Sequence, residues 1–269
     1  MHRSMTWWIR AFLITSIIRG LFLGFKGLVD APEIPIPLQL TPLNAAFVAA
    51  LYLAGSLGLI LTLFVRDGAD ARPFVIGVGV VTTLLLSVTL LRWVEFDHTL
   101  SSKLVGWLGS YIFDPVAVSL LVATHGLLPA ANRGRHRLTP LFLAEAAVLG
   151  GLGLLTLTLP EMASALWPWK LPPVLAQLYS CFFIAFAAIA LLVAHENRPI
   201  VIRNFTITSL ALMGFVLLVS LSYQTRFTGG PATWIWFGTL ILGVAAFGAA
   251  LFWPRPTRQF AADMPSSLQ

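Results

Sequence analysis

Residues 174–194 read VLAQLYSCFFIAFAAIALLVA, 21 positions without one charged side chain. A helix needs roughly 20 mostly apolar residues to cross the hydrocarbon core of a bilayer, and this stretch supplies them in a single run. Working outward, six more segments pass the same test, at about 43–65, 73–94, 105–127, 139–159, 202–222 and 232–253. An eighth, about 8–29, contains Arg10, Arg19 and Lys26. A cleaved signal peptide needs an uninterrupted apolar core and a small-residue cleavage site. Arg19 breaks the core and no A-x-A follows, so the segment reads as a retained first helix, with a helix lying flat at the interface as the alternative.

Composition agrees with this reading. Of 269 residues 58% are apolar and 10% charged, against about 25% charged in an ordinary soluble domain. A soluble fold of this length cannot hide that much apolar surface, which excludes a soluble enzyme or a nucleic-acid-binding module. Lys and Arg number 17 against 11 Asp and Glu, an excess that reads as membrane topology rather than polyanion binding. Eight spans with the N-terminus inside put 11 basic residues on the cytoplasmic side and 5 on the other, leaving Arg19 within the membrane. The expectation is a multi-pass inner (plasma) membrane protein with both termini cytoplasmic. Trp7, Trp8, Trp167, Trp169 and Trp253 fall where the lipid–water boundaries are expected, a zone that suits a ring with an apolar body and a polar N–H. Cys181 is the only cysteine, so neither an intrachain disulfide nor a multi-cysteine metal site is available.

The two halves echo one another. LVDAPE at 28–33 precedes LTPLNA at 40–45, and LTLPE at 157–161 precedes LPPVLA at 171–176. The offsets are 128 for Pro32 to Pro160 and 131 for Pro42 to Pro173, while Arg72-Pro73 recurs as Arg198-Pro199 at 126 and Trp107 as Trp236 at 129. Small drifts confined to loops are what a duplicated unit produces. The expected fold is therefore all-α and membrane-integral, about eight transmembrane helices arranged as two parallel four-helix repeats, 1–130 and 131–269. The proline-glutamate step followed by WPWKLPPVLA at 167–176, with TPLNA at 41–45 as its first-half echo, resembles the loop-to-helix junction of uncharacterised polytopic membrane proteins of bacteria. Val174 stands where that pattern has leucine. The resemblance covers about a quarter of the chain and implies the fold type and a bacterial inner membrane, with no activity attached.

A charge near the bilayer centre costs about 2.5–3.5 kcal/mol on insertion scales, so Arg19, Asp114 and Glu145 each need a reason. Arg19 and Asp114 lie at depths within about 3 Å of each other at 1.5 Å per residue, and Glu145 falls near Arg19 in the alignment of the halves. A structural ion pair and a charged transport site at the repeat interface both fit. Pro115, next to Asp114, removes an amide donor and displaces the carbonyl of Tyr111. Glu95, Asp97 and His98 gather on the outer side, where carboxylate with imidazole suits a divalent metal or acid–base work, yet one histidine without helical spacing reads as a solvated loop. His125 and His195 end two spans on one side and are the only candidates for a haem, although both adjoin polar loops. No metal site and no cofactor are expected, and no phosphate-cradling loop, dinucleotide fingerprint or nucleophile signature occurs. Gly20 with Gly24, and Gly150, Gly151 and Gly153, make thin helix faces that favour close packing within or between protomers. The expected partners are the lipid bilayer, and other membrane subunits or a second copy of the chain. The primary reading is a non-enzymatic scaffold or accessory subunit. The alternatives are a secondary transporter built on Arg19, Asp114 and Glu145, and a membrane-embedded redox or lipid-modifying enzyme.

Overall fold

A computed structural model describes residues 5–30, 34–96, 102–125 and 134–252. Among these residues there are nine α-helices, α1 (Trp7–Val29), α2 (Pro42–Leu63), α3 (Gly68–Leu91), α4 (Ser102–His125), α5 (Thr139–Thr158), α6 (Pro160–Leu166), α7 (Pro173–Ala194), α8 (Pro199–Ser222) and α9 (Pro231–Phe252). All except the short α6 are long and apolar enough to cross a membrane. The chain is an all-α, multi-pass membrane protein.

Local sequence sets the helix ends. Proline opens α2, α6, α7, α8 and α9, at the position where a missing N–H costs nothing. Thr41 accepts from the Asn44 amide at the start of α2, and Asp67 accepts from the Ala69 amide at the start of α3. The latter cap begins α3 five residues before Pro73, where the sequence pattern placed its start. Along the spans, hydroxyls return to their own helix, as Thr62 to the Gly58 carbonyl at 2.7 Å and Thr208 to the Asn204 carbonyl at 2.8 Å. That satisfies a donor in a setting without water.

The helices sort into two bundles that cut across the sequence halves. α1 packs along α2, α8 along α9, and α2 along α8; α5 packs along α7, α3 along α4, and α3 along α7. The first bundle is therefore α1, α2, α8 and α9, and the second is α3, α4, α5 and α7. Close backbone approaches between the bundles are few. Aromatic side chains bridge the seam instead, with Phe47 on α2 against Tyr179 on α7 at 4.6 Å and Tyr52 against Phe182 at 4.9 Å between ring centroids.

Several contacts occur twice at the offsets read from the sequence. Trp107 donates to Thr89 and Trp236 to Ser220, each at 2.9 Å. The 3-10 turns Trp93–Glu95 and Gln224–Arg226 follow α3 and α8, and each ends on a phenylalanine, Phe96 or Phe227, whose amide closes the turn at 3.2 Å. A Cβ on Gly24 would come within 2.6 Å of Leu53, and one on Gly153 within 2.7 Å of Ile184, so α1 meets α2 as α5 meets α7, through a glycine. Gly150 and Gly151, grouped with Gly153 in the sequence pattern, are not in such tight contact: Gly150 only touches Ala187 at an ordinary distance and Gly151 faces open space.

The tryptophans divide. Trp7 and Trp8 stack on one another and are exposed at the start of α1, as a boundary position requires. Trp167 and Trp169 are instead 7% and 2% exposed, which corrects their reading as boundary anchors. The segment after α6 folds back over the end of the bundles, tied by Thr228 N–H to the Pro168 carbonyl at 2.9 Å. Its two indoles are thereby roofed under Trp236 and Phe227. Trp253 lies outside the described residues.

Candidate functional site

Arg19 projects from the middle of α1 and Asp114 from the middle of α4, helices of different bundles. Their side chains form an ion pair across the seam. Asp114 is 1% exposed and Arg19 22%, so the carboxylate is enclosed while the guanidinium keeps one edge open. The Arg19 guanidinium also stands 5.9 Å over the Tyr111 ring, within reach of a cation–π attraction. The Tyr111 hydroxyl in turn hydrogen-bonds the Tyr52 hydroxyl on α2. Two polar links, one ionic and one phenolic, thus join α4 to the opposite bundle at one level.

Of these groups Arg19, Tyr52 and Tyr111 line a cavity of about 90 Å³ on the seam, enclosed mainly by α1, α2, α3 and α7 and lined also by Ser16, Ser56 and Thr82. The Ser16 hydroxyl has no hydrogen-bond partner among the described residues. The space is large enough for water, and the rest of its lining is mostly apolar. α4 runs unbroken through Pro115, and Ser119 returns its hydroxyl to the Pro115 carbonyl at 2.7 Å.

A second cavity, about 690 Å³, lies between the α5–α7 and α8–α9 hairpins. Phe183 and Leu240 line it at the positions that correspond, by offsets of 131 and 129, to Tyr52 and Tyr111. Among the described residues no charged side chain lines this cavity.

Glu145 does not join Arg19 and Asp114 in an ion pair. It is 6% exposed on α5, and Ser209 on α8 donates to its Oε2 at 3.1 Å, while Oε1 has no partner among the described residues. It too reaches across the seam, since α5 and α8 belong to different bundles. Glu95 is engaged by Arg92 at 3.2 Å, and Arg92 is held further by Gln177 at 2.6 Å and Glu161 at 3.5 Å. Asp97 and His98, the other members of the outer-face group, lie outside the described residues. His195 turns its Nδ1 to the Leu191 carbonyl at 3.0 Å. His125 ends α4, and its side chain is outside the described set. Among the described residues no three His, Cys, Asp or Glu side chains gather as metal ligands.

On the face carrying His195, the turn between α7 and α8 is clasped by Arg198, which pairs with Glu196 and, at 2.8 Å, with Asp70 on α3. Burial raises the Glu196 carboxyl, but the hydrogen bonds and charge of Arg198 outweigh it and hold the group below its ordinary value of 4.5.

The tyrosine link was not legible in the sequence, because Tyr52 and Tyr111 look like ordinary apolar-span residues. Nor was the cluster around Asn44, whose Oδ1 accepts from Trp169 at 2.8 Å and Tyr179 at 3.0 Å. An amide in the first turn of an otherwise apolar span was the available signal. Compared with known proteins, the chain matches no family model, no curated protein and no solved structure. The class is set by the fold: a polytopic membrane protein with a buried ion pair on a seam between two helix bundles.

Proposed function

We propose that the chain is a non-enzymatic secondary carrier in which the two bundles rock about the aromatic seam and the Arg19–Asp114 cavity receives a small polar solute. The single observation behind this reading is that the buried ion pair spans two bundles with few backbone contacts and that its arginine lines a cavity between them. A charge pair is costly in that setting, and a tie within one bundle would have served stability alone. The paired contacts of α1–α4 and α5–α9 support two parallel repeats, 1–130 and 131–269. The resulting parallel halves, with a site near the midplane, fit carriers built from repeats. The arginine-rich face, including Arg66, Arg135, Arg137 and Arg198, is the cytoplasmic one in this scheme, following the positive-inside rule.

The test uses reconstituted protein and pools of small solutes sorted by charge. Replacing both partners, Arg19→Met with Asp114→Leu, removes the charges together and leaves neither stranded. The carrier reading expects solute-dependent flux in the parent protein, and loss of that flux in the double variant while its thermal stability stays at the parent level. Flux that survives in the double variant, or is absent from the parent across every pool, overturns the carrier. The pair is then a tie between helices in a scaffold or accessory subunit.

A further inference from the structure

The larger cavity is a separate feature. Its floor is apolar, formed by Phe47, Leu51, Phe183 and Leu212, and its mouth lies between α5 and α9. Val148 and Ile235 line that mouth and are 53% and 69% exposed. They belong to spans that face the bilayer, so the cavity is continuous with the lipid-contacting surface. The Trp236 N–H is already committed to Ser220, which leaves Thr239 and the Trp167 N–H, unpartnered among the described residues, as the polar side-chain groups of the lining. Water gains little in such a space, because a buried water needs two to four polar partners. At about 690 Å³ the volume falls in the range of ligand sites, about 300–1,000 Å³.

We propose that this cavity is a lipid site, occupied by an acyl chain of a bilayer phospholipid that enters between α5 and α9. Its apolar character follows from the residues that replace the polar link of the first cavity. Phe183 and Leu240 provide no hydroxyls to draw α9 onto α7, so the hairpins stay parted and the gap is filled from the membrane. The site is independent of whether the first cavity carries a solute.

Gly151 supplies the test. It lines the cavity, and a Cβ there meets nothing within 4 Å, so Gly151→Leu fills the space without displacing a neighbour. Gly106 on α4 is equally unobstructed and lies away from the cavity, so Gly106→Leu serves as the control. The protein is reconstituted in phosphatidylethanolamine–phosphatidylglycerol vesicles containing a phospholipid with a diazirine in its acyl chain, irradiated, and mapped by peptide mass spectrometry. The expected result is labelling concentrated at 148–155 and 235–240, reduced at least fivefold by Gly151→Leu and unchanged by Gly106→Leu. Labelling there no denser than at the outward residues Ile112 and Val116, or insensitive to Gly151→Leu, overturns the proposal. Should Gly151→Leu fail to fold, native mass spectrometry of the parent protein decides. One phospholipid retained through detergent exchange upholds the site, and a bare chain overturns it.

Discussion

The two cavities of this molecule are flanked by similar helix contacts and differ in the side chains that line them. In the first, the Arg19–Asp114 pair and the Tyr52–Tyr111 link tie α4 to α1 and α2 beside a cavity of about 90 Å³. The second, mostly between α5, α7, α8 and α9, measures about 690 Å³ behind a largely apolar lining. The helix pairs that flank the gaps pack alike, down to the indole hydrogen bonds of Trp107 and Trp236. The difference therefore comes from a handful of side chains and not from the backbone plan. Directional polar links close a gap inside a membrane, whereas apolar side chains there have no more affinity for each other than for lipid tails.

The largest expected effect separates the two halves outright. Asp114→Asn leaves Arg19 without its counter-charge and costs about 3–5 kcal/mol, the range for breaking one side of a buried pair. Glu145→Gln keeps an acceptor for Ser209 and strands no charge, so its cost stays below about 1 kcal/mol. Thermal unfolding of both variants in one detergent measures the contrast. Equal losses would show that the two intramembrane acids do the same structural work.

The next effect tests the likeness of the halves. Gly24→Ala and Gly153→Ala each place a methyl within 3 Å of a side chain on the facing helix, and overpacking of that kind costs about 1–3 kcal/mol. Gly151→Ala, facing open space, is neutral by the same assay. If Gly24→Ala and Gly153→Ala differ as much from each other as from Gly151→Ala, the α1–α2 and α5–α7 contacts are not equivalent.

The smallest effect lies at the face of the molecule. Glu196 is depressed by Arg198, so the native state binds its proton more weakly than the unfolded chain does. Its contribution is complete above the ordinary carboxylate value of 4.5 and is lost as pH falls through the lower native value. Glu196→Gln should flatten that acid limb of the stability profile by about 1 kcal/mol or less, while the profile above pH 6 stays unchanged.

Much of the architecture was legible because a bilayer imposes a length and an apolarity that a one-dimensional reading detects. The spans at 43–65 and 174–194 differ from α2 and α7 by at most two residues at either end. The start of α3 was misplaced because Pro73 is a stronger local mark than the Asp67 side chain that caps the helix. Trp167 and Trp169 were misassigned because their sequence position, at a span boundary, is the same whether the loop lies in the headgroups or folds over the bundle. Arg19 and Asp114 stood out as costly charges at similar depth, but nothing in the chain order said that their helices would come from different bundles.

Sequence by itself determined that this is a multi-pass membrane protein with about eight spans, where each span begins and ends to within a turn except at the start of α3, and which few polar groups are carried into the hydrocarbon. Those properties follow from the transfer of individual segments out of water, which each segment settles alone. Tertiary structure alone decided that α2 lies against α8 and α7 against α3, that Arg19 meets Asp114 while Glu145 meets Ser209, and that one gap closed as the other stayed wide. Inside a bilayer apolar surface does not select its neighbour, so those choices rest on glycine contacts and a few hydrogen bonds between residues far apart in the chain.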